Sequence, residues 1–262
     1  MSDAPPDLQH VLALDCSTER LSLALAVGRL PQAGATQWCG EVLTHDGAGG
    51  AQSSLHLMAH IQALLDQAGL RAQDLGAIAY GRGPGAFTGL RTACAVAQGL
   101  AFGANDRPVI GISALMTVAQ DARLQGETNP RITALLDARM NELYAATHQF
   151  DGALVPAQPP LELEAPALVA PEHISEAVAR WQAETTTPVL AGNTEASYGA
   201  HWAQAPWRAR HHSAWPNARA MLHLVPALWA AGAATEAAQA QPVYVRDRVA
   251  LTTAERQARA TA

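Results

Sequence analysis

The stretch Gly81–Arg91, GRGPGAFTGLR, holds four glycines, one proline and two arginines between an apolar run and a long Ala-rich segment. A Gly-rich turn that enters a helix presents backbone N–H groups to an anion. Arg82 and Arg91 could add charge-assisted bonds to a phosphate. The same composition also suits a plain corner, in which glycine supplies positive φ and Pro84 fixes the shape. The residues leave both readings open, with Gly83, Gly85, Thr88 and Gly89 as further candidate contacts. A second polar group, Asp15 and Ser17 with Ser22, closes the apolar run VLALD. It suits the hydrogen bonds of a hairpin.

Other reactive side chains are weaker candidates. His56 and His60 stand i, i+4, a metal-compatible spacing, but no third ligand is near in sequence; two solvated histidines are the alternative. His211 and His212 fall in the loop-like WRARHHSAW and read as surface packing. Asp137 and Arg139 in LLDAR sit at a strand end, as a salt bridge or turn or in a catalytic role. Order alone proposes no Ser/His/Asp triad, because triads are defined by geometry.

Composition removes several chemistries. All 17 basic residues are arginine, so no P-loop lysine, Schiff-base lysine or lysine base is available. The net charge of −6 makes the chain a poor nucleic-acid binder by itself, since phosphate neutralisation supplies most non-specific affinity. Cys16, Cys39 and Cys94 are far apart, without a CxxC pair, which argues against a disulfide framework and a thiolate zinc site. No apolar run reaches the ~20 residues of a membrane span. MSDAPPDLQH has neither a basic n-region nor an h-region, so no signal peptide and a cytoplasmic location are expected.

The elements that must position these groups follow from periodicity. VLALDCST and LSLALAVG read as a hairpin, TQWCGEVLT as a third strand and HDGAGGAQSS as a loop. Helical spacing over Leu55–Ala68, a strand LGAIAYG, a helix over Leu90–Phe102 and a strand PVIGI complete a β-β-β-α-β-α-β order. A helix from Ser113 opens the second half. Strands follow at Arg131–Arg139 and Glu142–Phe150, with a helix near His173–Gln182, a short strand PVLAGN, a helix over Ala218–Ala231 and an extended PVYVR. The second half repeats the theme less clearly. LELEAPALV, with Pro166, leads into the helix near His173. The expected fold class is α/β in two lobes, residues 8–112 and 113–250, with 251–262 a frayed tail.

Three segments taken together carry a family resemblance: LALDCSTERLSLAL, AYGRGPGAFTGLRTACAVAQGLA, and LLDARMNELYAA followed by PVYVRDRVA. In this order the chain closely resembles the bacterial TsaB (YeaZ) family, over about Val11 to Ala250. The resemblance implies the two-lobed fold of the actin, Hsp70 and sugar-kinase superfamily. It implies a non-catalytic scaffold or activator that binds the catalytic paralogue TsaD and works with a TsaE-like ATPase. The complex installs a threonylcarbamoyl group on the adenosine beside the tRNA anticodon. It further implies that tRNA is met only through the complex, that the chain forms a homodimer when alone, and that there is no membrane. No cofactor would be tightly bound by the chain alone, with ATP or ADP at the partner interface.

Two positions depart from the family pattern: Ala86 stands where serine is usual, and Gln52-Ser53-Ser54 where a histidine is often found. TsaD carries a His-x-x-x-His metal pair where this chain reads ISALMTV, Ile112–Val118, which supplies no hard ligand. AGNTEAS is a poor match to a second phosphate loop. The same fold would also suit an ATP-dependent kinase or ATPase using Asp15 and Ser17, or, with a metal set, a metallopeptidase.

The resemblance places the partner contact on the two helices of the first half. Leu55, Met58, Ala93 and Ala97 are the candidate contacts, and the Arg82–Arg91 loop lies at their edge. The small residues of the second helix permit close helix approach, although alanine filler in an ordinary core helix is the alternative.

Overall fold

Along Val11–Leu14 successive side chains alternate between two apolar cores, as the period-two geometry of a strand requires. Leu12 and Leu14 join the cluster that holds Leu57 and Ala97; Val11 and Ala13 join one that contains Ile132 and Met221 from the second half. A strand buried on both faces needs an apolar run, and VLAL provides it. The computed structural model describes residues 8–35, 40–49, 53–182, 187–203, 205 and 209–246.

The first unit comprises strands β1 (Gln9–Asp15), β2 (Arg20–Arg29) and β3 (Glu41–Ala48), helix α1 (Ser53–Ala68), β4 (Ala77–Gly83), α2 (Phe87–Gly103) and β5 (Val109–Ser113). Its sheet runs β3-β2-β1-β4-β5, with β1 antiparallel to β2 and parallel to β4. Helix α3 (Ala114–Leu124) follows. The second unit repeats the same order with β6 (Arg131–Asp137), β7 (Leu143–Gln149), β8 (Leu161–Val169), α4 (Ile174–Trp181), β9 (Val189–Gly192), the short α5 (Glu195–Tyr198) and β10 (Arg210–Ser213). Its sheet, β10-β9-β6-β7-β8, has the strand order and pairing directions of the first when read from β8. The repeat that is faint in sequence is complete in structure. The fold is therefore α/β, with two mixed five-stranded sheets in the actin/Hsp70/sugar-kinase arrangement.

Helix α6 (Ala218–Ala230) and α3 pack together between the sheets. Ser113 Oγ accepts from Met116 N at 3.4 Å to cap α3, and Asn217 Oδ1 accepts from Ala220 N at 2.8 Å to cap α6. Helices α1 and α2 cover the outer face of the first sheet, and α4 covers that of the second. After α6 the chain returns to the first unit. Thr235 and Val109 exchange backbone hydrogen bonds at 2.9 Å, and Val243 N donates to Arg82 O at 2.6 Å.

Three sequence expectations are corrected. The third strand lies at Glu41–Ala48, later than TQWCGEVLT, and takes in part of the expected loop; Thr36–Cys39 fall outside the described residues. As an edge strand with mostly exposed or half-buried residues, β3 carries little apolar periodicity. LELEAPALV is a strand: Pro166 is tolerated because β8 is an edge and the register shifts beside it. HHS belongs to β10, paired in parallel with β9, and not to a loop.

Candidate functional site

Strand β4 ends beside β1, and α2 starts only four residues later, so the glycine loop must pass directly over the β1–β2 turn. Ala86 N donates to Ser17 O at 2.7 Å. A Cβ added at Gly81, Gly85 or Gly89 would overlap Asp15 Oδ2, Ser17 O or Cys16 O, respectively. Gly85 and Gly89 allow close approach of the hairpin backbone, and Gly81 leaves room for the Asp15 carboxylate. Gly83, at φ +113°, precedes a cis peptide to the buried Pro84 and lies against the Val243 carbonyl. Ala86, the N-cap of α2, makes no side-chain capping bond.

Neither arginine faces an anion cradle. Arg91 lies 3.8 Å over the Phe87 ring, and its Nε donates to Tyr244 Oη at 3.0 Å. Arg82 is exposed, its backbone oxygen engaged by Val243. Thr88 is exposed, and its carbonyl accepts from Thr92 Oγ1.

Asp15 is 1% exposed. Its Oδ1 accepts from Ser17 N at 2.9 Å and from Ser17 Oγ at 2.7 Å, and closes the hairpin turn. Oδ2 is buried without a hydrogen-bond partner. Burial pushes this carboxyl above its ordinary range, while the two bonds from Ser17 pull the other way. A carboxylate that orders magnesium-bound water needs solvent access, and this one has none.

A space of about 100 Å3 lies between Ser17–Glu19 and the β6–β7 turn. Arg139 spans it, 3.6 Å from Glu19 and 3.3 Å from Asp137. Asp137 also accepts from Tyr198 Oη at 3.1 Å, and its N–H donates to Asn193 Oδ1 at 3.0 Å. Asp137 and Arg139, ambiguous in sequence, are members of this ion-paired network. Asp15 is buried out of reach of this space, and the two carboxylates that line it, Glu19 and Asp137, are both engaged by Arg139.

Among the described residues no group of three or more His, Cys, Asp or Glu could hold a metal ion. His56 and His60 do gain a third histidine, His45 of β3, which the misplaced third strand hid. However, the His45 and His60 rings stack at 3.8 Å. His211 and His212 pair with Glu195 and Glu127 at 2.8 and 2.9 Å, and Arg210 reaches Glu127 at 2.8 Å. This cluster fastens β10 to the loop after α3. Cys16 and Cys94 are buried free thiols, and burial with the neighbouring Asp15 pushes Cys16 up to about 12. Cys39 lies outside the described residues.

On the two helices the structure separates inner from outer residues. Ala93 and Ala97 are fully buried against the first sheet, so they face the chain's own core. The exposed stripe of α2 is Thr88, Arg91, Ala95, Gly99 and Phe102. On α1, Met58, Ala59 and Ala63 are exposed; the Leu55 side chain lies outside the described residues. Inner and outer alanines look alike in sequence because α2 is small on nearly every side.

The comparisons with known proteins agree with this architecture. Residues 48–161 match the family model described as "TsaD: tRNA N6-adenosine threonylcarbamoyltransferase". The "tRNA threonylcarbamoyladenosine biosynthesis protein TsaB" of Escherichia coli is 34% identical over 252 residues, covering 92% of this chain and 96% of that protein. The protein of the same description from Haemophilus influenzae is 40% identical over 134 residues, 51% of each chain. Among solved structures, YeaZ from Pseudomonas aeruginosa has a TM-score of 0.72 at 36% identity, covering 90% of this chain and all of that one. With 34% identity to a TsaB protein across nearly the whole of both chains, and the fold of YeaZ, the chain belongs to the TsaB (YeaZ) family.

Proposed function

We propose that this chain is a non-catalytic docking and activating subunit in tRNA threonylcarbamoyladenosine biosynthesis. It binds a TsaD-like catalytic paralogue and acts with a TsaE-like ATPase. The observation that carries the reading is the state of the inherited cleft: Asp15 is sealed under the glycine loop, and Arg139 bridges the remaining gap to Glu19 and Asp137. Such a site keeps the fold of a nucleotide-binding lobe and gives up its chemistry.

What the chain offers instead is a pair of outer helices with small residues at their centre, which allow a partner helix to approach closely. The same faces would pair two copies when the paralogue is missing. ATP or ADP would be held only where the partner completes a site, and tRNA would be met through the complex, in the cytoplasm. No helix among the described residues is long and apolar enough to cross a membrane.

The deciding experiment is reconstitution. This chain, a TsaD-like protein and a TsaE-like ATPase are combined with tRNA, ATP and the threonylcarbamoyl donor, and each is omitted in turn. The expected result is no modification by this chain alone and a large loss of modification when it is omitted. Asp15→Asn should support wild-type rates in the full mixture. Turnover by the isolated chain, or a hundredfold loss with Asp15→Asn in a folded protein, would overturn the reading.

A further inference from the structure

Two pockets meet along the flank of α2. The first, of about 480 Å3, lies between the glycine loop, the β6–β7 turn and residues 243–246. The second, of about 540 Å3, lies between α2 and residues 240–244. Tyr244 lines both, so they form one trough. Four of the eight large hydrophobic side chains exposed among the described residues border the first pocket: Phe87, Met140, Val243 and Tyr244. Single exposed apolar residues need no explanation, but a cluster around a concavity marks a contact surface.

The trough is also set apart by charge. The chain carries a net −6, yet neither pocket is lined by an aspartate or glutamate, while Arg91, Arg139 and Arg246 line them. Arg139 and Arg246 are partnered from outside the lining, by Glu19 and Asp137 and by Glu142. Among the described residues Arg91 pairs with aromatic groups, the Phe87 ring and Tyr244 Oη.

The rim is held in an unusual conformation. Arg139, Met140 and Asn141 have φ of 62°, 57° and 58°, three consecutive left-handed residues without a glycine. Such residues are uncommon, and each costs about 1 kcal/mol or more unless the surroundings hold it. Here Arg246 Nη2 donates to Ala138 O at 3.0 Å, and Ala138 N donates to Glu142 O at 2.9 Å. The result is a Met140 side chain 63% exposed at the mouth of the pocket.

We infer that this trough docks a segment of a partner protein bearing large apolar side chains flanked by carboxylates. The apolar side chains fill the space between Met140, Phe87 and Tyr244, and the carboxylates meet Arg91, which has no carboxylate partner among the described residues. The inference rests on the reading of the chain as a docking subunit; the trough shares Arg91 and Ala95 with the exposed stripe of α2 but not Met58 or Phe102.

The test uses the full chain and three fluorescein-labelled peptides, read by fluorescence anisotropy. One is Asp-Glu-Leu-Trp-Glu-Leu-Asp, one has its acids replaced by lysine, and one has its leucines and tryptophan replaced by serine. The acidic apolar peptide is expected to bind at least about tenfold tighter than either control, the step a good charge-assisted contact supplies. Met140→Glu and Val243→Asp should each remove that preference with unchanged circular dichroism, and Arg91→Gln should weaken only the acidic peptide. Phe102→Glu should leave peptide binding intact while it disrupts the paralogue heterodimer, so the two readings fail separately. Equal binding of the three peptides, no binding of any, or full binding by both folded rim variants would overturn the inference. So would a homodimer that Met140→Glu dissolves while no peptide binds, because the occupant would then be a second copy.

Discussion

The Ala86 amide donates to the Ser17 carbonyl oxygen at 2.7 Å, and this bond fastens the glycine loop to the first hairpin. Asp15 on one side and Gly81, Gly85 and Gly89 on the other are the two halves of that joint. The joint holds the end of β4 against the turn between β1 and β2.

Gly89→Ala should therefore destabilise the chain by about 2 kcal/mol or more, because its Cβ would meet backbone that must move. Gly99→Ala, in the same helix with nothing within 4 Å, should instead gain up to about 1 kcal/mol. Chemical denaturation of both variants checks the contrast.

Ala86→Ser should stabilise by about 1 kcal/mol, since Ala86 is an N-cap without a side-chain bond. An unchanged denaturation midpoint would mean that the hydroxyl does not reach the α2 amides.

Phe102→Glu and Ala63→Arg, both on exposed positions, should keep the fold and weaken heterodimer formation at least about tenfold, the scale of a central interface residue. Ala97→Arg, fully buried, should lose the fold itself. Circular dichroism beside a titration with the paralogue separates the two outcomes.

His148 is fully buried with both ring nitrogens unpartnered, and burial lowers its pKa to about 4. The unfolded chain takes up this proton near pH 6.5 and the folded chain only near 4. Stability should thus fall as pH drops through that window, by about 3 kcal/mol from this residue. His148→Leu should flatten the decline relative to wild type in denaturation series between pH 7 and 4. Asp15 acts in the opposite sense, so the wild-type-minus-variant difference is the quantity to read.

Apart from β3, the first unit was legible because its strands are apolar runs punctuated by glycine and its first helix keeps a clean period, as Leu57, Ile61, Leu64 and Leu65 illustrate. Strand β10 was not legible, because RHHS owes its place to Glu127 and Glu195, more than ten residues away in sequence. Strand β8 was hidden by Pro166, which only an edge tolerates. The loop's purpose was ambiguous for a different reason: Gly85 and Gly89 answer to the carbonyls of Ser17 and Cys16, roughly seventy residues earlier. The trough could not be read at all, since Phe87, Met140 and Tyr244 meet only in three dimensions.

The return of residues 235–246 to the first unit has a consequence for biosynthesis. Val109 and Arg82 obtain their last hydrogen-bond partners, Thr235 and Val243, more than a hundred residues after they leave the ribosome. At the usual pace of translation that interval is on the order of ten seconds. Throughout it the edge of β5 at Val109 and the flank of α2 stand open, to be covered only when residues 235–246 have been made.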